Sequence, residues 1–216
     1  MSTRIEICGG IASGKTTLAR LVASQPRSVL ALEDFRANPF WALSYEQPHK
    51  FTLEKNVCFI AQHTGAIKAA GNSRLLVCDY AVVQDIAYAN MQRAARHARV
   101  MKMLFDDLYS PLPAPQVIVY LRCSAAVQLE RIRNRARPEE TSITIDYLEE
   151  LNRRIEEVLS QDLIKASIKT IDSGETNFAK NRAVAEALKN ELVSIAGRSR
   201  SNDHGLAREK SPHNRR

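Results

Sequence analysis

The chain has 216 residues, 44% of them hydrophobic and 25% charged, and a formal net charge of +7. That composition suits one ordinary soluble domain with a single core and excludes a repeat or low-complexity chain. No uninterrupted apolar run approaches the ~20 residues of a membrane span, and the first residues lack the pattern of a secretory leader, so a cytoplasmic protein without membrane contact is expected.

The first apolar run, Arg4 to Cys8, reads as a strand and leads directly into Gly9-Gly10-Ile11-Ala12-Ser13-Gly14-Lys15-Thr16. This completes the phosphate-binding pattern G-x-x-x-x-G-K-S/T. Glycines there let backbone N–H groups close on phosphates, and the helix expected over Lys15 to Ala23 points its positive end at them. Lys15 is placed to reach the β- and γ-phosphates, and Thr17 continues the cradle. The Thr16 hydroxyl is a hard oxygen ligand suited to Mg²⁺.

The second strand, Ser28 to Leu32, ends in Glu33-Asp34, and one carboxylate there is a candidate to take the proton of an attacking hydroxyl. A solvated loop acid is the alternative. After the breaker Asn38-Pro39, a long helix is expected over Pro48 to Ala70. The third strand, Arg74 to Cys78, is closed by Asp79, the Walker B arrangement in which a carboxylate helps hold Mg²⁺ beside the Thr16 hydroxyl. One helix is expected over Val82 to Leu108, ended by the cluster Pro111 to Pro115.

The fourth strand, Gln116 to Leu121, precedes a helix over Ala125 to Asn134 that runs into Arg131, Arg133, Arg135 and Arg137 before Pro138. Arginine's planar fork donates two parallel bonds and keeps its charge when desolvated, which suits a phosphate-clamping lid over about 131–142. A basic helix end left in water is the plainer alternative. A helix over Ile145 to Gln161, a fifth strand over Ser167 to Ile171 and a helix over Asn177 to Ala196 follow. Gly197 to Arg216 holds six Lys/Arg against Asp203 and Glu209, so four of the seven surplus charges lie in a tail expected to be disordered. Nucleic-acid binding has no support outside that tail. Cys8, Cys58, Cys78 and Cys123 stand singly in apolar stretches, which reads as buried thiols rather than a metal site.

Five strands alternating with helices imply an α/β fold of the P-loop NTPase kind: a parallel sheet covered on both faces, with ligands beyond the carboxyl ends of the strands.

Taken together, these residues resemble the deoxynucleoside kinase family, which includes deoxycytidine, deoxyguanosine and deoxyadenosine kinases, over roughly Ile5 to Ala196. Glu33 to Trp41 is similar to the family segment E-P-x-x-x-N-P-F/Y-L, with Asp34 in place of proline, and the resemblance implies that Glu33 deprotonates the nucleoside 5′-hydroxyl. Tyr45-Glu46-Gln47-Pro48 resembles the family's Y-x-x-P step, whose tyrosine binds the sugar 3′-hydroxyl. Arg131, Arg135, Arg137 and Glu140 fall on the lid pattern R-x-x-x-R-x-R-x-x-E. By this resemblance the lid arginines clamp the transferring phosphate, Arg131 stacks on adenine, and Glu140 joins Tyr45 at the sugar.

Departures cluster around the acceptor. The family triplet D/E-R-S stands here as Asp79-Tyr80-Ala81, whereas Asp85 keeps the aspartate of the base pocket. Counted from Tyr45 without gaps, the base-reading glutamine becomes Asn56 and a later arginine becomes His63, which is assigned nothing beyond pocket lining.

The resulting expectation is a kinase domain over 1–196 and a basic tail over 197–216. It transfers the γ-phosphate of ATP, with Mg²⁺, to the 5′-hydroxyl of a nucleoside, a purine deoxynucleoside being favoured. The resemblance also implies a homodimer through long helices, with Val82 to Leu108 as the candidate. The rival readings are a kinase for a nucleoside monophosphate or another small alcohol, and a nucleotide-binding regulator with little turnover.

Overall fold

The computed structural model of the chain describes residues 3–71, 73–91, 95–161 and 165–208. Its centre is a five-stranded, all-parallel sheet built from β1 (Thr3–Gly9), β2 (Ser28–Ala31), β3 (Leu75–Cys78), β4 (Val117–Arg122) and β5 (Ser167–Asp172), in the order β2-β3-β1-β4-β5. Ile5 lies opposite Val77 on one side and Val117 on the other. All five expected strands are present, with ends displaced by one residue at most.

Period-2 alternation divides the sheet into two apolar faces. Ile5, Ile7, Leu75, Val77, Val117, Val119 and Leu121 turn one way and pack on α1 (Lys15–Val22) and α8 (Arg182–Arg208) through Leu18, Val22, Leu188 and Leu192. Cys8, Ile118 and Tyr120 turn the other way, toward α4 (Val82–Asn90), α6 (Ala125–Arg135) and α7 (Ile145–Leu159). In α7, Leu148, Leu151, Ile155 and Val158 recur at helical spacing and are fully or almost fully buried. Each such side chain contributes about 1.5–3 kcal/mol of gross burial energy. The Thr144 hydroxyl accepts from the Tyr147 N–H and starts that helix.

Near β2, Ala31, Leu76, Cys78 and Tyr80 pack on α3 (Pro48–Ala69) through Ile67. α2 (Trp41–Glu46), not expected from the sequence, sets the start of α3. A short 3₁₀ turn over Phe35–Ala37 precedes it, and Asp34 caps that turn by accepting from the Arg36 and Ala37 N–H groups. The carboxylate pair is thereby divided: Asp34 is a structural cap, and Glu33 is the one that lines the cleft.

Three expectations about helices are corrected. The segment read as one helix over Val82 to Leu108 is instead α4 and α5 (Ala95–Leu104), followed by a wide π turn over Phe105–Tyr109. Folding back buries Met101 against Ile60 and Ala89 and brings Tyr109 to Asp85 at the beginning of α4, contacts that one straight helix would forgo. The last helix starts at Arg182, not Asn177, because the Asn181 side chain caps it by accepting from the Ala183 and Val184 N–H groups. It also continues past Ala196 to Arg208. Residues 209–216 of the segment expected to be a disordered basic tail lie outside the described residues. No helix among the described residues is long and apolar enough to cross a membrane.

Candidate active site

The carboxyl ends of β1, β2 and β3 open into one cleft of about 920 Å³. Its floor is the loop after β1, where Gly9 has φ 149° and Gly14 φ 101°, in the region that glycine alone adopts freely. Close approach dictates glycine as well. A Cβ on Gly9 would stand 2.7 Å from the Leu121 carbonyl oxygen, and one on Gly10 2.4 Å from Gln128 Nε2 and from Asn152 Oδ1. Gln128, fully buried, donates to the Cys123 carbonyl and to Asn152 Oδ1, both at 3.0 Å, and forms a shelf under the loop.

Lys15 Nζ donates to the Gly9 and Gly10 carbonyls, both at 3.0 Å. Burial pulls its pKa below the ordinary lysine value, against the opposing pull of Glu33 and Asp79. Ile11, Ala12, Ser13 and Thr17 also line the cleft. The Thr16 hydroxyl donates to Asp79 Oδ2 at 2.7 Å, and the Glu33 backbone N–H donates to Asp79 Oδ1 at 2.6 Å. Asp79 thus ties the phosphate loop to the strand that presents Glu33. Burial raises its pKa, and these two hydrogen bonds oppose the rise. No cluster of three or more His, Cys, Asp or Glu suited to a metal occurs among the described residues. The hard oxygens of Thr16 and Asp79 nevertheless fit Mg²⁺, an ion usually held by one or two protein groups with water and substrate phosphate completing its shell.

The far wall comes from the end of α6 and the 3₁₀ turn Pro138–Glu140. Arg135 binds Glu140 through two parallel bonds of 2.7 and 2.6 Å, and Arg137 reaches the same carboxylate at 3.3 Å while lying over the Phe35 ring at 4.3 Å. Arg131 lines the cleft on this side as well. Its guanidinium donates to the Ala12 carbonyl at 3.3 Å and to the Ser173 carbonyl at 2.7 Å, bracing the phosphate loop against the turn after β5. Residues of that turn, Ser173 to Lys180, line the cleft on this side.

At the acceptor end, Tyr45, Asn56, Asp85 and Glu140 all line the cleft. Tyr45 meets Trp41 edge to face at 5.6 Å. Asn56 Nδ2 and Gln84 Oε1 are buried and lack a hydrogen-bond partner. Asp85 is already engaged: its Oδ2 meets His63 Nδ1 at 2.8 Å and accepts from the Tyr109 hydroxyl. The opposite ring nitrogen, His63 Nε2, lies 3.5 Å from Glu33 Oε2, an ion-pair distance rather than a formed hydrogen bond.

Two residues here escaped the sequence reading. His63 is nearly fully buried and bridges two carboxylates. Lys55, also buried, points its ammonium toward the Tyr45 and Tyr88 rings at 5.9 and 5.2 Å, and burial lowers its pKa to about 8 despite the nearby Glu33. A signal existed: Asn56, Ile60, His63 and Ile67 recur at helical spacing, and Lys55, Asn56, His63 and Thr64 place four polar residues among the buried ones of α3.

A family model for deoxynucleoside kinase matches residues 5–196. The chain belongs to the deoxynucleoside kinase family. It is 25% identical over 193 residues to a deoxyguanosine kinase of Bacillus subtilis, covering 85% of this chain and 93% of that protein. A deoxyadenosine kinase of Dictyostelium discoideum is 26% identical over 199 residues, 89% of this chain and 80% of the relative. The fold matches that of a deoxyadenosine kinase from M. mycoides, solved with dCMP and dCDP bound, at a TM-score of 0.76 and 20% identity over 89% of this chain and all of the other. The protein is therefore a phosphotransferase of the deoxynucleoside kinase type, a kinase of nucleosides.

Proposed function

We propose that the protein transfers the γ-phosphate of ATP to the 5′-hydroxyl of a deoxynucleoside, with a purine preferred. The observation that carries this reading is the convergence of Lys15, Thr16, Asp79, Glu33 and Arg135 on one cleft. The loop Gly9 to Thr17 holds the triphosphate, and Thr16 with Asp79 holds Mg²⁺, which when bound neutralises phosphate charge. Glu33 accepts the hydroxyl proton as the oxygen attacks phosphorus. Arg135 and Arg137, released from Glu140 on closure of the lid segment, share the charge that spreads over the phosphoryl oxygens. Such a loose transition state demands positioning more than basicity, and closure suppresses hydrolysis by excluding water.

Tyr45 and Glu140 meet the sugar. The unpartnered Asn56 Nδ2 and Gln84 Oε1 offer a donor and an acceptor for a base edge, which supports recognition of a purine, as do the deoxyguanosine and deoxyadenosine kinases among the relatives. Exposed Val100 and Met103 on α5 support the homodimer.

The test is ATP consumption against a panel of nucleosides and nucleoside monophosphates, repeated with Glu33→Gln. A purine deoxynucleoside is expected to be the best acceptor, and the variant to lose about 10²–10⁴-fold in rate. Equal rates for the two proteins would refute the role of Glu33. A monophosphate as best acceptor would refute the substrate class.

A further inference from the structure

His63 stands where its charge reaches the reaction without touching the acceptor. Its ring is stacked face to face on Tyr80, with centroids 3.8 Å apart and planes 6° from parallel, and Phe59 lies on its other side at 5.7 Å. The Tyr80 hydroxyl donates to the His63 backbone carbonyl at 3.3 Å. The ring therefore has one orientation open to it, in which Nδ1 meets Asp85 at 2.8 Å and Nε2 faces Glu33 at 3.5 Å. Asp85 is held in turn by the Tyr109 hydroxyl, so the row Tyr109, Asp85, His63, Glu33 runs from the π turn to the cleft.

We propose that His63 is a positioning residue: fixed by Asp85 and by its stacking on Tyr80, it stands between Asp85 and Glu33 as an imidazolium and aims the Glu33 carboxylate at the acceptor hydroxyl. The inference rests on Glu33 being the base.

Both ring nitrogens face carboxylate oxygens, Nδ1 in a hydrogen bond to Asp85 and Nε2 at ion-pair distance from Glu33, and two flanking carboxylates favour the doubly protonated ring. The charged groups around the ring agree. Burial alone would lower its pKa, but Asp85 from α4 and Glu33 from the end of β2 raise it to about 10. Glu6 of β1 adds an attraction at longer range. The cations near Glu33 are Lys15 and, from α3 itself, Lys55. Burial pushes the Glu33 carboxyl up, and the proximity of His63, helped by the two lysines, outweighs it and leaves the group below its ordinary value. During transfer the acceptor proton passes to Glu33 as the new O–P bond forms and the bond to the ADP oxygen breaks. His63 keeps both its protons throughout.

The experiment compares the full-length protein with His63→Gln, which removes the charge, and His63→Arg, which keeps one. kcat and KM are measured from mildly acidic to mildly alkaline pH with the best acceptor from the panel. His63→Gln is expected to lower kcat about 10–10²-fold through loss of aim at Glu33. KM for ATP stays within about twofold, since no phosphate contact is removed. His63→Arg, which restores a cation between the two carboxylates, should recover most of that loss. A Gln variant with the parental kcat overturns the proposal.

Should the buried substitutions fail to fold, ¹⁵N spectra of the histidine rings in the parent decide the matter. Two protonated ring nitrogens on His63 at neutral pH are expected, and one bare nitrogen overturns the proposal. The two readings fail separately: Glu33→Gln at the parental rate removes Glu33 as base, whereas an inactive Glu33→Gln beside an unaffected His63→Gln removes only the role of His63.

Discussion

Replacing Gly10 by alanine tests how the phosphate loop is held in shape. The added Cβ would stand 2.4 Å from both Gln128 Nε2 and Asn152 Oδ1 and 2.7 Å from Gln128 Oε1, where ordinary contact begins at 3.4 Å. Gln128 or the loop must therefore give way by about 1 Å, a shift large enough to lengthen the 3.0 Å bonds from Gln128 to Cys123 and Asn152 beyond hydrogen-bonding range. Overpacking costs about 1–3 kcal/mol and each weakened buried bond about 1 kcal/mol, which together give about 3–5 kcal/mol. For a domain of this size the loss lowers Tm by about 2–4 °C per kcal/mol, so a fall of about 6–20 °C in thermal unfolding is expected. Gly65→Ala is the matched control. Gly65 lies inside α3, nothing stands within 4 Å of its added Cβ, and the substitution should raise stability by about 0.5–1 kcal/mol. Equal Tm values for the two variants would refute the shelf that Gln128 and Asn152 provide.

Asp79→Asn should lower kcat by about 10²-fold or more and raise the Mg²⁺ concentration needed for half-maximal rate, because it removes the negative charge and one of the two oxygens that accept from Thr16 and the Glu33 N–H; unchanged Mg²⁺ titrations would contradict this. Arg135→Lys replaces a two-point fork with a point charge, and a fall of about 10–10²-fold in kcat is expected from steady-state kinetics. Ala136 ends α6 with φ 49°, so Ala136→Gly should stabilise the fold by about 0.5–1 kcal/mol in urea unfolding. His63 binds its proton more tightly in the folded state, about 10 against an ordinary 6.5, so its stabilisation is complete below about pH 6.5 and is lost as pH rises toward 10. Lys55, lowered to about 8, acts in the opposite sense above that pH. The Tm difference between parent and His63→Gln should accordingly shrink with rising pH.

The sheet was legible because each strand is a short β-branched run closed by a polar residue; Lys15, Thr16 and Asp79 stood out from such closures and from spacing, Arg135 from the density of arginines before Pro138, and Glu33 from the family resemblance. What stayed hidden depends on partners far away in sequence. His63 acquires its role from Glu33, 30 residues before it, and Asp85, 22 residues after it. The bonds from Arg131 to the Ala12 and Ser173 carbonyls likewise join residues far apart in sequence. The sequence joining α4 to α5 carries neither glycine nor proline among residues 88 to 95, so helical periodicity continues from one into the other. Position alone did not tell Asp34 from Glu33; the 3₁₀ turn that Asp34 caps does.

A single-turnover reaction with γ-labelled ATP, Mg²⁺ and a purine deoxynucleoside tests the central claim most directly. The expected result is label in the nucleoside 5′-monophosphate for the parent and loss of that transfer, about 10²-fold or more, for Glu33→Gln with ATP binding intact. Label released only as inorganic phosphate, or a 5′-monophosphate formed equally fast by both proteins, would contradict it.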